Sequence, residues 1–393
     1  MSESSTDNWR RAGFAGAALG VLAAGAAAGV ALERLTVGRG MRQKARLALD
    51  ASGPYGSLRG TPGKAIADDT TALYYEVDEV DPENRPGSAP RKRRLFGRKA
   101  PAPVTVVFSH GYCLTQDSWH FQRAALRGLV RTVHWDQRSH GRSERGVAQA
   151  GPDGLPVSID RLGRDLKAVI DAAAPVGPLV LVGHSMGGMT IMALADAYPE
   201  LIRERVVGVA FVGTSTGRLG EVNYGLPTAG VNAVRRVLPG VLKALGSQAE
   251  LVERGRRATA DLFAGLIKRY SFSSKDVDPA VARFAERMIE STPIDVVAEF
   301  YPAFADHDKA EALAAFRDVP VLALAGDRDL VTPSSHTEAI ADLLPDSELV
   351  IVPDAGHLVM LEHPEAVTDR LADLLVRVGA VPATGARTGS VSG

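Results

Sequence analysis

Apolar positions in this chain fall into two alternating patterns over most of its 393 residues. Short β-branched or continuous apolar runs at 104–108, 132–135, 179–182, 206–212, 319–325 and 348–352 read as buried strands. Between them, stretches with apolar residues spaced by three and four read as helices, at 116–129, 159–173, 187–198, 335–344 and 364–378. Two further strands are expected at 64–67 and 71–78, joined by a turn at Asp68-Asp69. This alternation predicts an α/β fold, a mostly parallel eight-stranded sheet with helices on both faces. Residues 217–316 interrupt the pattern with charged, helix-like sequence and no strong strand. They are expected to form a helical cap inserted over the carboxyl edge of the sheet.

The ends of the chain follow neither pattern. The expected organisation is a polar segment at 1–11, an apolar run at 12–32, a connector at 33–60 and a first core section at 61–216 that carries a basic loop at 81–103. The cap at 217–316, a second core section at 317–380 and a tail at 381–393 rich in Gly, Ser, Thr and Pro follow, and such a tail is expected to be disordered. The run at 12–32 is uncharged and matches the roughly 20 residues a bilayer core requires. It is mostly Ala and Gly, so insertion gains little free energy. A retained membrane anchor is the first reading; a cleaved signal peptide and an apolar arm are the others. Arg10 and Arg11 precede the run, but no polar cleavage region follows it. Arg34, Arg39, Arg42, Lys44 and Arg46 place more positive charge after the run than before it. An anchored form would therefore hold its catalytic domain on the cytoplasmic face, and a signal-cleaved form would be secreted. Arg91, Lys92, Arg93, Arg94, Arg98 and Lys99 make a solvated loop, or a contact with anionic lipid beneath the anchor.

Composition narrows the chemistry. The formal net charge of −1 provides no field to draw in nucleic acid. A single cysteine, Cys113, leaves no internal disulfide. Short Cys/His spacings of the zinc type are missing from the sequence, so neither a metal nor a cofactor is expected.

The clearest chemical signal is Gly183-His184-Ser185-Met186-Gly187, a G-x-S-x-G segment between a buried strand and a helix of small residues. A serine on so sharp a turn needs neighbours without bulk, which Gly183 and Gly187 supply. The turn lifts its hydroxyl above the sheet at a helix N-terminus, where developing negative charge is favoured. A serine hydroxyl is too weak an acid to attack unaided and needs a base. His357, in Asp354-Ala355-Gly356-His357, follows the last strand and should lie at the same edge as Ser185. His363 abuts Pro364 at a helix start and reads as structural, and His184 should point away from the Ser185 hydroxyl. The base needs an acceptor to fix its tautomer. The strand at 319–325 runs into Gly326-Asp327-Arg328-Asp329, and either aspartate could serve. Asp329 is preferred, with Asp327 bracing the loop. An oxyanion hole needs two backbone N–H groups. Met186, after the nucleophile, offers one. Tyr112, in Ser109-His110-Gly111-Tyr112 at the end of the 104–108 strand, offers the other. His110 is expected to hold that loop, and Gly111 to let the backbone approach the substrate.

Taken in order, FSHGY, WDQRSHGRS, GHSMGG, AGDRDLVTP and DAGHLVMLEHPE resemble the α/β-hydrolase superfamily, in the capped branch with carboxylesterases, monoglyceride lipases and haloperoxidase-like enzymes. The order Ser…Asp…His is that of the superfamily. The resemblance implies an acyl-transfer mechanism with Ser185 as nucleophile, His357 as base and Asp329 as orienting acid. Asp136, Arg138 and His140 would shape the loop beside the nucleophile, with Ser139 in place of the usual glycine. Epoxide hydrolases and dehalogenases of the superfamily carry aspartate at the elbow, so Ser185 favours ester or thioester hydrolysis. The expected partner is a small ester, hydrophobic if the cap builds an apolar pocket. Perhydrolysis or carbon–carbon cleavage at the same site, and a ligand-binding protein with little turnover, are the alternatives.

Overall fold

The computed structural model describes residues 55–84, 102–149, 156–222, 269–274 and 277–381, together with residue 240. Eight strands form one sheet in the order β1-β2-β4-β3-β5-β6-β7-β8. They are β1 (Thr61–Ile66), β2 (Ala72–Asp78), β3 (Thr105–Ser109), β4 (Arg131–Trp135), β5 (Leu179–His184), β6 (Val206–Val212), β7 (Val321–Gly326) and β8 (Glu348–Val352). β2 runs antiparallel to both β1 and β4, and every other pairing is parallel. The inner parallel strands β3, β5 and β7 are buried along their whole length because helices cover both faces, whereas the edge strand β8 leaves Leu349 exposed. The period of two along each strand then feeds two separate cores. Val106, Phe108, Val180, Val182, Leu322 and Leu324 face one. Val107, Leu179, Leu181, Val209, Phe211 and Ala323 face the other.

The helices that cover the sheet are α1 (His120–Leu126), α2 (Ile159–Ala173), α3 (Met186–Ala197), α4 (Pro199–Arg205), α7 (Ser334–Leu343), α8 (Val359–Glu362) and α9 (Pro364–Arg377); α5 (Pro279–Ser291) and α6 (Ile294–Ala305) belong to the cap. Apolar residues three and four apart put Leu166, Val169, Ile170 and Ala173 of α2 on one side of the sheet. Val367, Leu371, Leu374 and Leu375 of α9 lie on the other side. The helix expected over 116–129 is split. A 3₁₀ turn at Gln116–Trp119 precedes α1, because the Thr115 side chain accepts from the Asp117 amide and the Gln116 amide is held 2.7 Å from Asp136 Oδ1. Gly128, at φ 76°, then turns the chain into β4.

The inserted helical cap leaves and returns at one place. A single antiparallel bridge joins Gly217 to Asp308, and the Lys309 amide donates to the Thr216 carbonyl at 2.7 Å. Within the cap, residues 223–239, 241–268, 275 and 276 lie outside the described residues, as do 1–54 and 382–393.

The membrane reading is corrected. Among the described residues no helix is long and apolar enough to cross a membrane. The run at 12–32 and the basic cluster within 81–103 lie outside those residues. The physical weakness of the reading is in the run itself, since Ala and Gly bury little apolar area per residue. The membrane association and the membrane-bound, cytoplasm-facing localisation drawn from it are withdrawn, and the secreted alternative rests on the same stretch.

Candidate active site

Ser185 sits between β5 and α3 with φ 51° and ψ −119°, a left-handed region that costs a non-glycine residue of order 1–3 kcal/mol. The surroundings impose it. The Ser185 amide donates to the Val212 carbonyl at 3.0 Å, and its own carbonyl accepts from the Thr214 hydroxyl at 2.7 Å and from the Gly188 and Met189 amides. The two glycines of the motif are required by close approach. A Cβ at Gly187 would lie 2.2 Å from the Ser109 carbonyl oxygen, and one at Gly183 would lie 2.6 Å from the Gly187 backbone. The turn is thus pressed against the end of β3, where the second loop of the site begins.

His357 and Asp329 are in direct contact. His357 Nδ1 lies 2.8 Å from Asp329 Oδ2, and both side chains are buried. With a carboxylate as acceptor, Nδ1 carries the proton and Nε2 keeps its lone pair for a substrate-side proton. Asp329 is itself fixed, because its Oδ1 accepts from the Val331 and Thr332 amides at 2.8 and 2.9 Å. Asp327 does something different. It accepts from the Ala355 amide at 3.2 Å and so braces the loop that carries His357. Ser185 lies at the same edge. Its neighbour His184 donates from Nε2 to the His357 carbonyl at 2.9 Å, and the two rings are 4.7 Å apart. Among the described residues no hydrogen bond joins the Ser185 hydroxyl to His357. Such contacts often close only when substrate is bound.

Tyr112 follows β3 on the facing loop, and Met186 is the first residue of α3. Among the described residues neither backbone N–H is taken by a protein acceptor. The loop is held by two histidines. His110 donates from Nδ1 to the Gly111 carbonyl at 2.7 Å and accepts from the Gln137 amide at 2.9 Å. His140 donates from Nδ1 to the Arg138 carbonyl at 2.9 Å and accepts from the Cys113 amide at 3.2 Å. Burial pushes the first ring down to about 4 and the second to about 3, so both are neutral braces at pH 7. The glycine at 111 also answers to His184, whose Nδ1 would lie 2.6 Å from a Cβ there.

Three loops of a parallel sheet that present a strained serine, a histidine–aspartate pair and free amides carry their own comparison. Residues 106–370 match the Alpha/beta hydrolase family. The chain belongs to this family. As an α/β hydrolase it is 28% identical over 289 residues to the mouse sn-1-specific diacylglycerol lipase ABHD11, across 73% of this chain and 85% of that protein. It is 28% identical over 293 residues to 3-oxoadipate enol-lactonase 1 of Acinetobacter baylyi, across 74% and 94%. The solved esterase RhEst1 of Rhodococcus sp. ECU1013 shares the fold with a TM-score of 0.60 at 21% identity, covering 81% of this chain and 100% of that one. The chain is an α/β-hydrolase-fold enzyme of the kind that works through a Ser/His/Asp centre.

Other parts of this α/β hydrolase support the site without joining it. Asp136 accepts from the Gln116 and Arg142 amides, at 2.7 and 2.9 Å. Arg138 is fully buried against Asp165, with contacts of 2.5 and 2.6 Å, and Ser139 takes the left-handed conformation that explains the usual glycine. A second hydroxyl–imidazole contact, Ser215 Oγ to His336 Nδ1 at 2.8 Å, is structural, since Ser215 is fully buried at the base of the cap. His134 stacks on Phe108 inside the core. Among the described residues no group of three His, Cys, Asp or Glu side chains is placed to hold a metal.

Two functional neighbours escape a reading of the sequence. Thr332 places its hydroxyl 3.0 Å from Asp329 Oδ2 and 2.8 Å from the Gly213 carbonyl. The Asp-x-x-Thr spacing, with a carboxylate accepting amides two and three residues on, is the signal that could have found it. Tyr112 also reaches the cap through its side chain. Its hydroxyl donates to the Val297 carbonyl on α6 at 2.5 Å, and its ring packs against Phe300 and Phe304. Nothing local in the sequence marks a contact between residues 185 positions apart.

Proposed function

We propose that this α/β hydrolase cleaves carboxylic esters through an acyl-enzyme intermediate. The reading rests on the 2.8 Å contact between His357 Nδ1 and Asp329 Oδ2, made at the edge where Ser185 is held in a left-handed conformation. Ser185 Oγ attacks the substrate carbonyl carbon while His357 Nε2 takes the hydroxyl proton. The negative charge that develops on the carbonyl oxygen is met by the Tyr112 and Met186 amides. The imidazolium, stabilised by Asp329, passes its proton to the leaving alkoxide and an alcohol departs. Water then gives a proton to Nε2 as its oxygen attacks the acyl carbon; the acyl–Oγ bond breaks as the imidazolium returns that proton to Ser185 Oγ, and the acid leaves.

The relatives' names point to the same bond. A diacylglycerol lipase and an enol-lactonase both act on an acyl–oxygen linkage, open-chain in one and cyclic in the other. The packing around Tyr112 and Met186 is apolar: Met186, Val296 and Phe300 share one cluster, with Tyr112 and Phe304 against it. Such surroundings favour an ester with an apolar acyl chain over a charged one.

Turnover of p-nitrophenyl butyrate by Ser185→Ala is the test. A loss of about 10⁴-fold or more is expected. A fluorophosphonate probe should label Ser185 in the folded wild-type chain and fail on the variant. Unchanged turnover in Ser185→Ala would remove the proposal, and an unlabelled, folded wild type would favour a binding protein instead.

A further inference from the structure

Glu362 takes no part in the reaction above, yet it gathers three backbone amides from two separate segments. Its Oε1 accepts from Ser274 at 2.7 Å and from Ser273 at 3.0 Å. Its Oε2 accepts from Gly356 at 2.7 Å, with Ser273 also 3.2 Å away. Gly356 is the residue before His357, and Ser273 and Ser274 lie where the cap sequence comes back toward α5. On the far side of the histidine, the Leu358 amide donates to the Ser271 carbonyl at 2.8 Å. Both amides flanking His357 are therefore fixed, one by Glu362 and one by the cap segment that Glu362 holds. The two backbones touch: a Cβ at Gly356 would lie 2.7 Å from the Ser273 nitrogen and 2.8 Å from the Phe272 carbonyl carbon.

We propose that Glu362 is a positioning residue that clips the base loop to the returning cap segment and so sets the place of His357. The proposal rests on the reading of His357 as base. Glu362 is well placed for the task. It ends α8, whose Val359, Met360 and Leu361 are buried in the core, so its backbone is a fixed post one turn after the histidine. The chemistry also selects the residue type. An ionised carboxylate presents acceptors on both oxygens and no donor. Glutamine has the same shape but would turn an NH₂ group toward an N–H, leaving at least one amide without a partner. The segment 271–274 is thereby coupled to the base, so a substrate that shifts this part of the cap shifts His357 with it.

The test is a double-mutant cycle on the full chain with p-nitrophenyl butyrate. Glu362→Gln should lower kcat by about 10- to 100-fold, the scale of a small misplacement of a reacting group, with KM changed far less. In a His357→Ala background the same substitution should cost no more than about twofold, because a positioning residue has nothing left to position. An equal loss in both backgrounds, or no loss in the first, overturns the clip. His357→Ala with wild-type turnover overturns the base assignment, and the clip falls with it. Amide hydrogen exchange in the unmodified chain keeps the idea testable even where Glu362→Gln does not fold. Gly356, Ser273 and Ser274 should be protected, and exchange at open-chain rates there overturns the proposal.

Discussion

The Thr332 hydroxyl lies between Asp329 Oδ2, 3.0 Å away, and the carbonyl of Gly213, 2.8 Å away. It has one proton, so it donates to one of the two at a time. Donated to Gly213, the proton ties the loop after β7 to the end of β6; donated to Asp329, it limits how that carboxylate can turn. Thr332→Val keeps the shape and removes the hydroxyl. It should destabilise the fold by about 1–2 kcal/mol, the cost of a buried carbonyl left without its donor. Urea unfolding measures that cost. Turnover should fall by about threefold to tenfold, because the two amides on Asp329 Oδ1 remain. An undiminished kcat would show that the amides alone hold the acid.

Tyr112 gives a prediction about the cap. Pro302 lies inside α6 and cannot donate to the carbonyl four residues before it, so this helix carries a loosened turn beside Val297. The Tyr112 hydroxyl meets the Val297 carbonyl there, and the amide of the same residue is the one proposed for the oxyanion. Tyr112→Phe removes the bond and leaves ring and amide in place. Stability should drop by about 0.5–1.5 kcal/mol. kcat/KM should fall by a similar free energy, about twofold to tenfold, with a larger loss for long acyl esters than for acetate. Equal losses across an acyl-length series would argue that the cap does not reach the oxyanion loop through this contact.

Much of this site is legible in the chain because its chemistry is local. The elbow needs glycines on both sides of Ser185, and those are visible as a five-residue pattern. The strands are visible because parallel strands buried on both faces become unbroken apolar runs, as in Val206–Val212. What the sequence hides is the contact made by distant partners. Glu362 reads as one more exposed helix acid until Ser273 and Ser274 are brought to it. The split of the 116–129 helix depends on Asp136, 20 residues away, taking the Gln116 amide. The apolar run at 12–32 invites a membrane reading because its length and lack of charge can be counted, although its Ala and Gly gain little free energy on insertion.

Acid should unfold the protein earlier than its surface charge implies. His110 and His140 are buried and neutral, with folded values of about 4 and about 3 against roughly 6.5 in an open chain. Between those limits the unfolded chain binds more protons, so stability rises with pH there. Their contribution is whole above pH ~6.5 and is lost as pH falls toward the folded values, at about 1.4 kcal/mol per pH unit for each ring. Burial depresses His134 and His184 in the same direction. Denaturant midpoints at pH 7, 6 and 5 check this, and a flat profile would mean that the rings reach solvent.

The two aspartates after β7 can be separated by one pair of substitutions. Asp329 holds the proton-bearing nitrogen of His357, whereas Asp327 accepts from the Ala355 amide two residues earlier in the histidine loop. Asn at 329 offers an NH₂ group or a neutral oxygen in place of the carboxylate. It can therefore hold the wrong tautomer, and it cannot stabilise the imidazolium formed when the serine proton is taken. Asp329→Asn should lower kcat by about 10³- to 10⁴-fold while the fold stays intact. Asn at 327 keeps an oxygen for the Ala355 amide, so Asp327→Asn should cost less than about tenfold. The ratio of the two kcat values, read on one soluble ester at pH 8, decides between them. A larger loss at 327 than at 329 would move the orienting role to Asp327 and leave the 2.8 Å contact at Asp329 as a structural brace.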